Sequence, residues 1–217
     1  GREAGEITLV GASKMNDAAA CREAIAAGID ALGENRVQEM TEKLAENAYD
    51  GAPLHFIGHL QRNKVRQVVG KAALIQSVGS DPLLDEIEKQ AEKLGLVQDI
   101  LLEVNVGGEE AKSGFAPEAV FAAAQRAKTL EHVRLRGLMT VPPIETEPGQ
   151  NLANFEKVHG LYVDINQKLY DNMLDILSMG MSGDFADAIR AGATMVRVGT
   201  AIFGRRAYPA AEQEGTV

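Results

Sequence analysis

The sequence predicts an α/β fold in which eight parallel strands close into a (β/α)8 barrel, and three observations support this prediction. Short apolar runs alternate with longer amphipathic stretches, which is the pattern of parallel strands joined by helical crossovers. Eight such runs are present, and eight strands are the number that closes a barrel of this type. The length of 217 residues lies within the roughly 200 to 400 residues known for such barrels.

The predicted strands are short runs rich in β-branched and other apolar residues. They cover residues 7–13, 31–33, 54–59, 73–78, 100–106, 135–141, 174–179 and 195–199. An open, doubly wound sheet also alternates strands with helices, but it does not require this strand count. No linker rich in Pro and Gly divides the chain, so we expect a single domain over residues 1–217.

The stretches between these runs have the residue spacing of amphipathic helices. Helices are predicted over residues 18–27, 37–47, 83–94, 117–130, 151–169 and 184–191. The second of them places Val37, Met40 and Leu44 on one stripe. The fourth has Pro117 in its first turn, where the missing N–H costs little. Because the first strand begins near residue 7 and the chain ends soon after the eighth, one outer helix is expected to be absent.

The composition argues against several classes of protein. A formal net charge of −9 and a pI near 5.0 do not suit a general nucleic-acid-binding protein, which needs a basic face. Cys21 is the only cysteine, so no intramolecular disulfide is expected, and a reducing, cytoplasmic location is the simplest interpretation. Cys and His residues at zinc spacing are absent, and no apolar run is long enough to span a bilayer. We therefore expect no nucleic-acid, membrane or metal partner.

Polar residues follow almost every predicted strand. Functional residues of (β/α)8 barrels gather at the carboxyl ends of the strands, where they converge on one axis. The polar residues at these ends are Lys14, Asn35, His59, Ser77, Asn105, Thr140, Ser178 and Arg197. The sequence therefore predicts a ligand site at this mouth of the barrel. His59 alternatively hydrogen-bonds a neighbouring strand end, and Asn105 is expected to be structural.

The ends of the seventh and eighth strands look suited to a phosphate group. The segment SMGMSGD over 178–184 brings small residues and glycines to the start of a helix, where backbone N–H groups and serine hydroxyls can bind an anion. The segment RVGTAIFG over 197–204 adds a Gly-Thr turn. Ordinary helix capping explains either segment alone. Their occurrence together, at the usual phosphate site of this fold, favours phosphate binding.

Lys14 follows the first strand directly and is either a solvated lysine or a reactive amine. In a barrel mouth beside Arg197 and a positive phosphate cradle, its amine would lose solvation and feel like charges. Both effects favour the neutral form, which is the nucleophile for Schiff-base formation. An aldehyde that carries a phosphate would satisfy both the lysine and the cradle, and pyridoxal 5'-phosphate is such a molecule. Taken alone, a solvated lysine is the commoner case.

Seven motifs carry a resemblance to a known family. In chain order they are GASK, GENRVQE, HFIGHLQRNK, EVNVGGEEAKSG, RGLMTVPP, LSMGMSGDFADAI and TMVRVGTAIFG, and together they extend from about residue 7 to 204. By these motifs the chain resembles the pyridoxal phosphate homeostasis proteins, whose fold is similar to the N-terminal barrel of alanine racemase. A helix that is usual before the first strand in this family is expected to be absent.

The resemblance implies roles for nine residues. Lys14 would form the internal aldimine with pyridoxal 5'-phosphate. Arg197 would point at the pyridine nitrogen and keep it unprotonated, which weakens the ring as an electron sink. The remaining implied contacts are phosphate binding by Ser178, Ser182, Gly199 (through its backbone) and Thr200, a position near the ring hydroxyl for Asn35, and a pocket lining formed by His59 and Met139.

The resemblance also implies a function without catalysis. The protein would hold the cofactor reversibly, act in its intracellular homeostasis and deliver it to apo-enzymes, and no catalytic residue is expected. No coiled-coil pattern argues for a dimer, so a monomer is expected.

Two other functions are compatible with a barrel lysine. An amino-acid racemase needs acid/base groups on both faces of the substrate carbon. In alanine racemases a tyrosine of an additional C-terminal domain supplies the second base, whereas this chain ends at Val217 and none of its four tyrosines follows a predicted strand. A Schiff-base aldolase without a cofactor shares the lysine and the cradle. It does not require a lysine after the first strand together with an arginine at the eighth.

Overall fold

A computed structural model describes residues 2–109, 113–144 and 147–204, and over these residues the chain forms a closed barrel of eight parallel strands. Each strand pairs with the next in sequence, and the first pairs with the last. The predicted barrel is therefore confirmed. The strands are β1 (Thr8–Ala12), β2 (Ala31–Glu34), β3 (Leu54–Phe56), β4 (Leu74–Val78), β5 (Gln98–Val104), β6 (Val133–Thr140), β7 (Ile176–Ser178) and β8 (Met195–Val198).

Helices connect the strands on the outside of the barrel. In the described ranges they are α1 (Ala18–Ala26), α2 (Val37–Ala45), α3 (Asp81–Leu94), α4 (Val120–Ala127), α5 (Leu152–Leu169), α6 (Phe185–Arg190) and α7 (Thr200–Phe203). All six predicted helices are present. The connection after β3 contains instead a 3-10 helix at Arg62–Gln67, in which Val65 alone is buried. Because this segment has no apolar stripe, the sequence pattern did not predict it.

The sequence of α3 explains where that helix begins and ends. Pro82 lies in its first turn, where no intrahelical bond is lost. Gly95 follows its last residue with φ 63°, a left-handed conformation that glycine adopts without strain. Leu84 and Ile87 are fully buried against the barrel, so the apolar face predicted from the spacing is the face that packs. None of the helices in the described ranges has both the length and the apolar character needed to cross a bilayer.

A small apolar cluster fills the inside of the barrel. It consists of Val10, Ala31, Leu74, Leu101, Met139 and Met195, which come from six different strands. Successive strand residues point to opposite faces, so residues an even number of positions after these also point inward. Arg197, two positions after Met195 in β8, therefore points inward, and Lys14 and Asn35 follow β1 and β2 at the mouth. A larger apolar cluster lies between the barrel and its helices.

The barrel interior also contains a buried histidine, and this predicts a pH dependence of stability. Burial lowers the pKa of His55 from 6.5 to about 4. In the unfolded chain His55 therefore binds a proton below about pH 6.5, whereas in the folded chain it binds one only below about pH 4. The resulting penalty is absent at neutral pH and grows as the pH falls through this window. Between pH 7 and 4.5 it is expected to remove on the order of 2 kcal/mol of the free energy of unfolding.

Urea unfolding of the wild type and of His55→Gln at both pH values measures this term. The substitution keeps a side-chain acceptor at position 55 but removes the titration. The wild type should lose on the order of 2 kcal/mol more than the variant on acidification. An equal loss in the two proteins would contradict the prediction.

Candidate functional site

Three adjoining cavities lie at the carboxyl ends of the strands. One of about 280 Å³ is lined by Lys14, Asn35 and His59, among others. The next, of about 590 Å³, shares Asn35 and His59 and adds Glu103. The third, of about 510 Å³, shares His59 and reaches Ser80 before α3. His59 is exposed and lines all three, and its contact with a cofactor stays a prediction. A further cavity of about 620 Å³ lies beside Arg134 near the start of β6, and none of the predicted site residues lines it.

The backbone around Lys14 is fixed on both sides. Before it, the backbone N–H of Ser13 donates to Gly33 O at 3.0 Å. After it, Met15 adopts φ 63° and its N–H donates to Glu39 Oε2 at 2.8 Å. A non-glycine residue in the left-handed region is unusual and marks a turn held by its surroundings. Lys14 itself is half-buried, so its side chain extends from a turn with little freedom.

A buried polar cluster supports this turn from outside the barrel. Glu34 Oε1 accepts hydrogen bonds from Lys43 Nζ at 2.6 Å, Ser13 Oγ at 2.6 Å and Tyr49 Oη at 3.0 Å. Lys43 Nζ also donates to Ser13 O at 2.8 Å. Glu34 is 0 % exposed and Lys43 is 6 % exposed, so this is a buried ion pair with several further bonds. It connects α2 to the residue directly before Lys14.

Asn35, at the rim of the site, has a buried polar atom without a partner. Its Oδ1 is buried and has no hydrogen-bond partner among the described residues. Gly58, which follows β3, lies so close to Asn35 that a Cβ on it would come within 2.1 Å of Asn35 O. The close approach fixes Asn35 against the rim of the 280 Å³ cavity. Buried polar atoms without partners are rare, and this one indicates a place for a ligand group.

Arg197 is a buried cation inside the mouth. It is 4 % exposed, and its Nη2 donates to Thr140 O at 2.8 Å while its Nη1 donates to Ser178 Oγ at 2.6 Å. Burial lowers the pKa of Arg197 to about 10, and the negative charges of Glu103 and Asp184 oppose this effect. The guanidinium therefore remains charged at neutral pH.

The structure places Ser178 away from the predicted phosphate contact. The residue is 0 % exposed and lies at the end of β7, where its hydroxyl is bonded to Arg197 and to Gln76 Oε1. An inward-facing strand position puts it below the loop that follows the strand. This geometry favours support of Arg197 over phosphate binding. Met139 is likewise inside, 1 % exposed within the barrel cluster, one residue before the Thr140 carbonyl that holds Arg197.

The loops after β7 and β8 meet as the sequence predicted. Gly199 N–H donates to Ser182 Oγ at 3.2 Å, which joins the two segments. Among the residues that the structure describes, the backbone N–H groups of Ser182, Gly183 and Thr200 have no acceptor. Gly180 turns the first loop at φ 94°, and a Cβ on it would lie 2.6 Å from that of Ala188. Free N–H donors beside two hydroxyl side chains form a cradle suited to an anion.

Sequence reasoning missed Glu103, which lines the 590 Å³ cavity. Burial raises the pKa of this carboxyl, while a hydrogen bond from Ser113 and the charges of Arg197 and His59 oppose the shift. Ser113 Oγ lies 2.9 Å from Glu103 Oε2. The signal was available, because Glu103 is two positions before Asn105 and therefore points the same way along β5. In the described ranges, no group of three or more His, Cys, Asp or Glu residues could hold a metal ion.

Comparisons with known proteins identify the family of the chain. Residues 10–207 match the family model described as the alanine racemase N-terminal domain. A pyridoxal phosphate homeostasis protein of Aquifex aeolicus is 44 % identical over 200 residues, which are 92 % of this chain and 87 % of that protein. Another, of Pseudomonas aeruginosa, is 41 % identical over 97 % of this chain and 89 % of its own length.

Solved structures give the same result at the level of the fold. PipY of Synechococcus elongatus, solved with PLP bound, superposes with a TM-score of 0.85 at 34 % identity and covers 94 % of this chain and 95 % of that one. An alanine racemase of Clostridium difficile, at 20 % identity and a TM-score of 0.72, shares the fold over 54 % of its length. The chain therefore belongs to the pyridoxal phosphate homeostasis protein family, which shares the barrel of the alanine racemase N-terminal domain.

Proposed function

We propose that this protein binds pyridoxal 5'-phosphate at the barrel mouth, holds it as a Schiff base on Lys14, and acts in the homeostasis of the cofactor. The observation that carries the proposal is that the strand before Lys14 and the strand before the Gly-Thr turn of the anion cradle are neighbours in the barrel. β1 and β8 are neighbours, with Gly11 opposite Val198. Lys14 and Thr200 therefore leave adjacent strands at the same end of the barrel.

The residues at the mouth fit the chemical groups of this cofactor. The free N–H groups of Ser182, Gly183 and Thr200 and the two hydroxyls suit its phosphate, whereas the Gly199 N–H, predicted to bind it, donates to Ser182 Oγ. The unsatisfied amide of Asn35 suits its ring hydroxyl. Arg197 supplies a fixed donor for the pyridine nitrogen, because a guanidinium cannot accept a proton. When bound, the cofactor supplies an aldehyde that condenses with an amine. His59 and Met139 complete the proposed contacts, as lining and floor of the pocket.

Each of the proposed binding residues has a defined role. Lys14 contributes the amine, and the fixed turn at Met15 limits how far that amine can move. The cradle would hold the phosphate dianion of the cofactor. Arg197 stays charged at neutral pH and would donate to the ring nitrogen, which keeps that nitrogen unprotonated. Since protonation of that nitrogen strengthens the ring as an electron sink, these residues favour storage over carbanion chemistry.

We propose that the protein does not catalyse amino-acid racemisation. A racemase requires a second base across the substrate from the lysine. Among the described tyrosines, Tyr49 Oη donates to buried Glu34, Tyr162 Oη to Leu174 O and Tyr170 Oη to Ala124 O. Tyr208 lies outside the described residues. Chiral chromatography of L-alanine incubated with loaded protein should show no D-alanine above the free-cofactor background, and turnover above it would restore the racemase.

The basic test of the proposal is retention of the cofactor. The protein is incubated with pyridoxal 5'-phosphate, separated from free cofactor by gel filtration and examined by visible absorbance. A yellow protein with about one cofactor per chain supports the proposal. A protein that emerges colourless contradicts it.

The phosphate cradle predicts a selective loss of affinity. Removing the hydroxyls in Ser182→Ala/Thr200→Val should weaken binding of pyridoxal 5'-phosphate by roughly a hundredfold to ten-thousandfold, since two bonds to a charged group are lost and each is worth about 1.5–3 kcal/mol. Binding of pyridoxal, which lacks the phosphate, should be unchanged. Fluorescence titration with both ligands measures the difference, and Thr41→Val on the exposed side of α2 is the control. Equal losses for both ligands would remove the phosphate assignment.

We further propose that the protein is cytoplasmic and monomeric and hands the cofactor to apo-enzymes. Loaded protein is mixed with an apo-aminotransferase, and the rate at which aminotransferase activity returns is measured. This rate should exceed the rate of spontaneous cofactor dissociation, which is measured separately with an excess of a trapping amine. Light scattering measures the mass per particle. Restoration no faster than dissociation would remove the delivery function.

A further inference from the structure

A chain of buried polar side chains runs from the site into the barrel interior. Arg197 Nη1 lies 2.6 Å from Ser178 Oγ, and Ser178 Oγ lies 2.7 Å from Gln76 Oε1. Gln76 Nε2 lies 3.0 Å from His55 Nδ1 and 3.2 Å from Met195 Sδ. Gln76 and Ser178 are 0 % exposed and His55 is 7 % exposed. These residues come from β3, β4, β7 and β8, so the chain crosses the barrel.

The chemistry of the donors fixes the direction of these hydrogen bonds, from Arg197 as first donor to His55 as last acceptor. A guanidinium donates only, so Ser178 Oγ accepts from Arg197 and its own O–H must donate to Gln76 Oε1. The amide nitrogen of Gln76 then faces His55 and also donates only. His55 Nδ1 must therefore accept, which leaves the imidazole neutral with its proton on Nε2. The donor-only guanidinium of Arg197 thus sets the direction of the hydrogen bonds as far as His55, three side chains away.

We propose that Gln76 and His55 are positioning residues that hold the guanidinium of Arg197 in place through Ser178. Ser178 and Gln76 are 0 % exposed, so removing one supporting side chain leaves its neighbour without a partner in the interior. Ser178 would then turn to another acceptor and release Nη1 of Arg197. The consequence for the cofactor rests on the proposed function, since Arg197 is there the donor at the pyridine nitrogen.

The hydrogen-bond direction is tested first on the protein without cofactor. Nitrogen NMR of labelled histidines, with His55 assigned by its loss in His55→Gln, reports which ring nitrogen carries the proton. At neutral pH we expect a neutral His55 with the proton on Nε2. In Gln76→Glu an oxygen replaces the donor, and the proton should move to Nδ1. A charged ring, or a proton on Nδ1 in the wild type, would overturn the proposal.

The positioning role is tested by a matched pair of substitutions. Gln76→Met removes the link to Ser178 and keeps the size of the side chain. Gln98→Met is the control, because Gln98 is 3 % exposed and hydrogen-bonded but its partners are Gly70, Ala72 and Asp99. Restricted rotation of the Arg197 guanidinium, seen in its side-chain N–H resonances, should be lost in Gln76→Met and kept in Gln98→Met. Equal restriction in both variants contradicts the proposal.

The loaded protein gives the functional consequence. In Gln76→Met the affinity for pyridoxal 5'-phosphate should fall about tenfold and the pH midpoint of the bound cofactor's absorbance should shift, because the arginine no longer holds its place. Gln98→Met should match the wild type in both readouts, even if its thermal stability is lower. If the arginine is freed and the cofactor is unaffected, the positioning role is overturned. If the wild type binds no cofactor, the proposed function fails and the NMR result alone decides the positioning role.

Discussion

Replacing Lys14 by alanine is expected to reduce the visible absorbance retained after gel filtration to background. The remaining contacts to phosphate and ring hold the cofactor only reversibly, since the covalent bond is the part that resists dilution. Lys14 is half-buried at a strand exit, outside the main apolar clusters. The free energy of unfolding should therefore change by less than about 1 kcal/mol.

A second lysine variant shows whether the loss of colour is specific to Lys14. Lys64, in the exposed part of the connection after β3, is near the same mouth, and Lys64→Ala should retain full colour. Urea unfolding of each variant shows whether the fold is intact. A Lys14→Ala protein that stays yellow would move the covalent attachment to another amine. A Lys14→Ala protein that unfolds would make the lysine structural.

Substituting Lys43 by methionine is expected to destabilise the protein by about 3–5 kcal/mol. The change leaves the carboxylate of Glu34 buried without its cation, and Glu34 Oε2 already has no partner in the part of the chain that the structure describes. For a chain of this size the melting temperature should fall by on the order of 10 °C. Calorimetry measures the loss. The turn at Lys14 should also loosen, because Lys43 bonds the carbonyl of Ser13.

Two further variants separate the buried pair from the loss of any lysine. Lys89→Met removes an exposed partner of Glu86 and should change stability by less than about 0.5 kcal/mol. The double variant Lys43→Met/Glu34→Met removes both charges and should recover most of the stability. Equal effects of Lys43→Met and Lys89→Met would mean that the buried network contributes nothing.

The barrel, its strand order and the mouth residues were predictable because they follow from periodicity and from the ends of strands. Lys14 and Asn35 follow neighbouring strands and line one cavity, and Arg197 has the inward parity of the residues that fill the barrel. Strand lengths were less predictable. The third strand was expected over 54–59 but ends at Phe56, because Gly58 packs against the backbone of Asn35 and leaves the sheet.

Which side chains of a strand point into the barrel depends on the pairing register of the strands, and the sequence pattern does not predict that register. The pairing of β5 with β6 shifts between Ile100 and Leu101, so parity counted from one end of β6 fails at the other. Ser178 was assigned to the phosphate because it opens a Gly-Ser segment, whereas its strand position turns it toward Arg197. Glu103 and Gln76 were missed for a related reason. Each lies inside a predicted strand, whereas the sequence prediction considered only the polar residues at the strand ends.

The most direct measurement of the central claim is borohydride reduction of the loaded protein followed by peptide mapping. Reduction makes the bond between amine and cofactor permanent, so mass spectrometry identifies the modified lysine. The account predicts one cofactor per chain, attached to Lys14 in the peptide that follows β1, and no labelling of Lys43, whose amine is bonded to Glu34 and Ser13 behind the barrel. A stoichiometric label on any other lysine, or none at all, would contradict it.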